Sequence, residues 1–218
     1  MSVSPREDFL TTGRENQKLR TRDALLDAAV ALAREGTLPS IAEVAEAARV
    51  SNATAYRYFP NTEALWAAIA VRQTPPGGIT DDMPADAEGR IDAIVRRFAA
   101  MQFGDETLWR GLARAALDHW FRQRELAEAD RPPVRGSSRL DGIRAAVEPL
   151  RGTLPPHALE RLTMALTLAV GLDAMIVTRD TCRLEPDEAT DLMSWAAQSL
   201  IRAAVAEAAS ERRDISSP

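Results

Sequence analysis

SIAEVAEAARVSNATAYRYF, residues 40–59, is the stretch from which the rest of the chain can be read. Ser40 followed three residues later by Glu43 is a capping box, in which each side chain satisfies a backbone N–H that a helix start leaves orphaned. Ile41, Val44, Ala45 and Ala48 then recur at helical spacing. Arg49, Val50 and Ser51 interrupt the pattern as a tight turn, and Ser51 can cap a second short helix over 52–59. That helix has small residues at Ala53 and Ala55 and hydrogen-bonding side chains at Asn52, Thr54, Tyr56, Arg57 and Tyr58. Two short helices around a turn, the second without a carboxylate, fit a helix-turn-helix whose second helix enters the DNA major groove, where phosphates repel acidic groups. The bland alternative is an αα-corner with a solvated outer face, for which Tyr56-Arg57-Tyr58-Phe59 is an odd composition.

The flanks support the same reading. A preceding helix over 21–34 places Leu25, Ala28, Ala29 and Leu32 on one face, the stripe that would pack on the helix-turn-helix. Pro60 breaks the second helix and Asn61 caps a fourth, over 62–73, with Glu63 in its first turn, Leu65, Trp66, Ile69 and Ala70 behind it.

From Thr21 to Ile69 the chain resembles the DNA-binding domain of the tetracycline-repressor (TetR) family. The matching pieces are Arg22-Asp23-Ala24-Leu25-Leu26-Asp27-Ala28-Ala29, Ile41-Ala42-Glu43-Val44-Ala45, Val50-Ser51, Thr54-Ala55-Tyr56-Arg57-Tyr58-Phe59-Pro60-Asn61 and Glu63-Ala64-Leu65. Two positions depart from the family pattern: Arg49 stands where a turn glycine is usual, and Thr62 where a phosphate-binding lysine is common. The resemblance implies a homodimer that binds an inverted-repeat operator in double-stranded DNA and responds to a small-molecule effector. Base contacts fall to Asn52, Ala53, Thr54 and Tyr58, with Ala53 suited to a thymine methyl. Ser40, Tyr56, Arg57 and Thr62 are expected on phosphates, and Ala42 faces DNA in the family pattern while offering only close backbone approach.

Composition bounds the alternatives. With 45% apolar and 27% charged residues, the chain reads as a globular protein. No run of 18 apolar residues suggests a membrane span, and the first ten residues lack the apolar core of a signal peptide, so a cytoplasmic location is expected. One cysteine, Cys182, excludes an internal disulfide, and with His119 and His157 as the only histidines a His/Cys zinc site has too few ligands. No metal or other cofactor is expected. The net charge of −5 at first disfavours a nucleic-acid partner. Yet residues 1–73 carry nine basic and nine acidic groups, leaving the excess acidity to the remainder. Arg14, Lys18, Arg20 and Arg22 read as part of a basic, disordered arm over residues 1–18 and the helix start beyond it, suited to DNA phosphates.

The expected organisation is all-α. A helix-turn-helix domain with a linking helix occupies 19–73, a Pro/Gly/Asp-rich linker 74–86, a helical domain 87–210 and a disordered tail 211–218. Within the helical domain the spacing predicts helices over 86–103, 106–129, 139–150, 157–181 and 186–210. The fourth of these is apolar nearly all round and so must be covered on more than one side. Gly171 and Ala174 on it, with Leu192, Trp195, Ala196, Ser199 and Ala203 on the last helix, are the predicted dimer interface; the alternative is that these helices form only the core of one chain.

A ligand cavity is expected among large and adaptable side chains of three helices. Phe98, Met101 and Phe103 come from the first, Trp109, His119, Trp120 and Phe121 from the second, and Met164, Leu168 and Met175 from the third. Asp173, set among apolar residues, needs a partner such as an arginine, a second subunit or a polar part of the ligand. An all-helical enzyme is disfavoured, because no Gly-rich phosphate loop, metal cluster or nucleophile–base spacing is present. An adaptor docking another protein through residues 40–59 is the remaining alternative.

Overall fold

The structure is a computed structural model in which residues 5–35, 39–73, 80–128 and 138–215 are described. Among these residues every regular element is helical, so the all-α reading holds. The helices are α1 (Pro5–Arg34), α2 (Ile41–Ala47), α3 (Asn52–Tyr58), α4 (Thr62–Gln73), α5 (Ala87–Gly104), α6 (Glu106–Gln123), α7 (Ser138–Val147), α8 (Pro156–Ala169), α9 (Leu172–Asp180) and α10 (Pro186–Ile215), with a 3-10 turn at Glu148–Leu150.

The chain divides into two compact units, one made of residues 1–73 and 110–131, the other of 74–109 and 132–218. Helix α6 therefore begins in the second unit and from Arg110 belongs to the first, whereas the sequence places all of it in a domain over 87–210. Sequence periodicity carries no information about which neighbour covers a helix.

In the first unit, α1 packs on α2 and α4, and α2 on α3. Leu25, Leu26, Ala29, Val30 and Ala33 of α1 are buried, together with Ile41, Val44 and Ala45 of α2, Ala55 of α3, Phe59, and Leu65, Trp66 and Ile69 of α4. Burying each of the larger side chains contributes about 1.5–3 kcal/mol. The buried stripe of α1 is displaced from the expected one, since Ala28 and Leu32 are only half-buried.

In the second unit, α5 packs on α7 and α10, α7 on α8, and α8 on α10. Ile91, Ile94, Val95 and Phe98 meet Ile143 and Val147, Leu162 and Leu166, and Met193 and Ile201 in one core. Polar ties fix the helices at the rim: Arg202 bonds Glu88 at 2.7 Å, and Arg96 joins Asp92 and Asp191 at 3.0 and 3.1 Å.

Several boundaries correct the sequence reading. α1 starts at Pro5, a residue tolerated at a helix start, so most of the arm expected to be disordered over 1–18 is helical. α6 stops at Gln123, where the Leu126 N–H closes a turn on the Gln123 carbonyl at 2.9 Å. α10 continues to Ile215 through residues expected as a disordered tail. The first part of the linker expected at 74–86, residues 74–79, lies outside the described residues, as do residues 129–137 between the second and third helices expected in the helical domain.

The single helix expected over 157–181 is two helices, α8 and α9, bent by 45° at Val170–Gly171. Gly171 has φ +97°, a region open to glycine and strained for other residues. Arg139 fills the space a side chain at Gly171 would need: an added Cβ would lie 2.7 Å from its Cδ. Its guanidinium donates to the Val170 carbonyl at 3.4 Å and to Asp173 at 2.9 Å, serving the last carbonyls of one helix and a carboxylate in the first turn of the next. Among the described residues no single helix is long and apolar enough to cross a membrane; α8 and α9 pass only as a bent pair.

Candidate nucleic-acid interface

Local chemistry builds the two short helices as the sequence indicates. The Ser40 hydroxyl accepts the Glu43 N–H at 3.3 Å, and the Ser40 N–H and hydroxyl each donate to Glu43 Oε2 at 2.7 Å. The Ser40 backbone donor, and then its hydroxyl, hold the Glu43 carboxyl below the usual range. Loss of such a cap costs about 1 kcal/mol. α3 is capped by Ser51, whose hydroxyl accepts the Thr54 N–H at 3.2 Å and donates to Thr54 Oγ1 at 2.9 Å.

The turn between the helices passes through Arg49 at φ +56°, the left-handed conformation that glycine adopts without cost. The sequence foretold this departure, and the arginine meets it with its side chain exposed. Ala55 and Phe59 anchor α3 inward, and the Arg22 guanidinium lies 5.9 Å from the centre of the Phe59 ring, tying α1 to the end of α3.

The outer face of α3 carries Asn52, Ala53, Tyr56 and Arg57, all exposed, with no acidic residue in its first turn. Tyr56 is 50% exposed, a large ring left in solvent. The Arg57 guanidinium stands 5.7 Å from the centre of the Tyr58 ring, and Tyr58 is half-buried. Thr54 is also half-buried, with its hydroxyl engaged by Ser51. Ser40 is exposed but committed to its cap, Ala42 is half-buried, and the Thr62 hydroxyl donates to Glu63 at 3.3 Å. Of the nine residues assigned to DNA, four therefore share a free outer face, and three offer hydroxyls already used within the fold. Lys18 and Arg20 are exposed on α1, basic groups presented by a helix.

Behind this surface α4 begins at Asn61, whose side chain accepts the Ala64 N–H at 2.8 Å. Glu63, in its first turn, accepts from Arg122 at 2.8 Å and from His119 Nδ1 at 3.1 Å, both on α6. Burial pushes the Glu63 carboxyl up, but its own backbone N–H, His119 and Arg122 outweigh that and leave it lowered. No sequence signal linked Glu63 to His119, because 56 positions separate them.

The residues assigned to a ligand cavity do not all share one setting. Phe98 lies in the core of the second unit, with Met101 and Phe103 packed against that core. Trp109 is buried and donates its indole N–H to the Met101 carbonyl at 3.1 Å, and Met175 is fully buried. Asp173 found an arginine, Arg139, as its partner. His119, by contrast, is bonded to Glu63 in the first unit, where Trp120 and Phe121 stand exposed with their rings 5.2 Å apart in a T. Met164 and Leu168 are exposed on α8, at 43% and 79%.

The residues assigned to a dimer interface also separate. Gly171 is buried against Arg139 of its own chain, and Ala174 belongs to the core, so neither is a surface residue. On α10, Met193, Ala197 and Ile201 face the core and Ala189 is buried, while Leu192, Trp195 and Ala203 are exposed and Ala196 and Ser199 half-buried. The exposed apolar groups of the second unit include Met164, Leu168, Leu192 and Trp195.

Residues 25–69 match the family described as "Bacterial regulatory proteins, tetR family". Among solved structures, a TetR transcriptional regulator from Rhodococcus sp. RHA1 is 20% identical, with a TM-score of 0.51, over 85% of this chain and 97% of that one. A tetR-family transcriptional regulator from Streptomyces coelicolor is 21% identical, with a TM-score of 0.56, over 90% of this chain and 88% of that one. No curated protein matches the chain. The family match falls on the two short helices, and the likeness to the two solved structures is one of fold along most of the chain.

Proposed function

We propose that this protein is a transcriptional repressor that binds an inverted-repeat operator as a homodimer and is released by a small apolar or aromatic effector in the cytoplasm. The observation that carries this is the outer face of α3: Asn52, Ala53, Tyr56 and Arg57 project from an acid-free helix held by the Ser51 cap and a buried Ala55–Phe59 edge. A short amide and a methyl group suit base edges, and a guanidinium beside a tyrosine suits phosphate.

One such helix reads few base pairs. Two copies held side by side read half-sites about 34–36 Å apart. The exposed Met164 and Leu168 of α8 and Leu192 and Trp195 of α10, on two helices that pack on each other, support that pairing, since large apolar groups left in water favour a partner. Leu168 and Met164 thus pass from the ligand set to the dimer face. The effector is placed among Phe103, Met101 and Trp109 at the end of α5 and start of α6, where aromatic and thioether groups adjoin. It can release DNA only as far as it binds two conformations unequally.

The test is selection of bound duplexes from a random pool, followed by a salt series on the selected site. Affinity should fall steeply with salt. Arg57→Ala should weaken selected and random duplexes alike, while Asn52→Ala should cost about 1–3 kcal/mol at one base position and relax the preference there. Unchanged binding by both variants would remove α3 from the interface.

A further inference from the structure

We propose that Gln102 is the polar anchor of the effector site and selects an uncharged ring compound that carries a hydroxyl group. This rests on the reading of the end of α5 and the start of α6 as the place where the effector binds.

Gln102 stands where burial favours an apolar side chain. Ile91, Val95, Phe98 and Gln102 recur at helical spacing and so lie along one stripe of α5. The first three carry that stripe into the core of the second unit, and Gln102, 2% exposed, extends it by one turn. An amide taken out of water without a hydrogen bond costs free energy, which a hydrocarbon side chain in the same place would not.

The other polar groups buried with it are already bonded. Gln102, Thr163, Thr178 and Ser194 are the buried polar residues described in the second unit. Thr163 donates to the Leu159 carbonyl at 2.8 Å, Thr178 to the Ala174 and Met175 carbonyls at 2.9 Å each, and Ser194 to Asp92. The Trp109 indole N–H is held by the Met101 carbonyl. Gln102 Oε1 alone among these groups is buried with no hydrogen-bond partner among the described residues. Folded proteins leave few such atoms, and a bond completed by a ligand accounts for keeping this one.

The amide and its surroundings set the ligand class. A hydroxyl both donates and accepts, so it pairs with the amide whichever of its two ends faces the ligand. Phe98 stands one turn before Gln102, Met101 and Phe103 flank it in sequence, and Trp109 is tied to Met101, a set of rings and a thioether suited to a ring compound. No charged side chain described in the second unit is buried, and Glu106, four residues further on, is paired with Arg179 at 3.5 Å. A charged ligand would enter without a counter-charge, so the compound is neutral.

The experiment uses the full chain and Gln102→Met, similar in length and without the amide, in the absence of DNA. Calorimetry compares matched pairs in which a methyl replaces the hydroxyl: phenol with toluene, 2-naphthol with 2-methylnaphthalene, and 4-phenylphenol with 4-methylbiphenyl. In at least one pair the native chain should bind the hydroxyl compound about tenfold more tightly, the gain from one hydrogen bond to a buried group otherwise unpaired. In Gln102→Met the preference should shrink below about twofold, since no amide is left to bond. Gln102→Ala, which cannot overfill the site, takes its place if Gln102→Met fails to fold. Equal binding within every pair, no binding of any compound, or an undiminished preference in the variant overturns the anchor. Release of the selected duplex is measured separately with the same compounds. A hydroxyl preference that depends on Gln102 but releases no duplex keeps the anchor and removes the effector reading. Release that is equal within each pair and equal in the variant keeps the effector reading and overturns the anchor.

Discussion

Arg49 holds a left-handed backbone at φ +56° that costs a side-chain-bearing residue about 1–2 kcal/mol relative to glycine. Arg49→Gly should therefore stabilise the protein by about 1 kcal/mol and raise Tm by about 2–4 °C for a chain of this size. Thermal unfolding followed by circular dichroism measures this, and an unchanged or lower Tm would show that the exposed arginine contributes as much through its charge as it loses through its backbone. The same scale bears on the contacts proposed for α3. Hydroxyls at Ser40, Thr54 and Thr62 are already bonded to Glu43, Ser51 and Glu63, so contact with DNA would have to compete with caps that hold the helices. Asn52, Tyr56 and Arg57 have exposed side chains for that role.

At the scale of the element, the break between α8 and α9 depends on one glycine and one distant arginine. Gly171→Ala would put a methyl 2.7 Å from Arg139 Cδ at a φ of +97°, so both the backbone and the packing resist it. The expected cost is about 2 kcal/mol or more, seen as a Tm lowered by about 4–8 °C. Arg139→Ala alone should lose less, and the double variant should recover part of the Gly171→Ala loss, because removing Arg139 frees the space. Equal losses in the single and double variants would assign the whole cost to the backbone. The helix expected to run unbroken through this point has no local stop signal beyond Gly171 itself, because its flanks are equally apolar on both sides. Arg139, 32 residues earlier, bonds across the bend, and only the fold brings it alongside.

For the whole molecule, the pairing proposed above rests on the exposed apolar residues of α8 and α10. Leu168→Glu should convert a dimer into monomers in sedimentation experiments at micromolar concentration while leaving the Tm of the core little changed, since Leu168 is 79% exposed. Operator affinity should then drop on the order of a hundredfold, the avidity lost when a second half-site can no longer be held. A dimer that persists in both Leu168→Glu and Trp195→Glu would move the interface elsewhere.

The sequence by itself determined the all-helical class, the two caps, the strained turn at Arg49 and the bare outer face of α3. Each is written in residues within a few positions of one another, and short-range hydrogen bonds and steric limits do not depend on the rest of the chain. Tertiary structure alone decided that α6 from Arg110 onward belongs with the first unit, that Glu63 meets His119, that Arg139 occupies the kink at Gly171, and that Met193 rather than Leu192 faces the core. An apolar helix with two eligible faces has no local preference between them, and a polar side chain cannot name a partner dozens of residues away. Those choices are made by what packs against what, when burial and charge pairing are satisfied together over the whole fold.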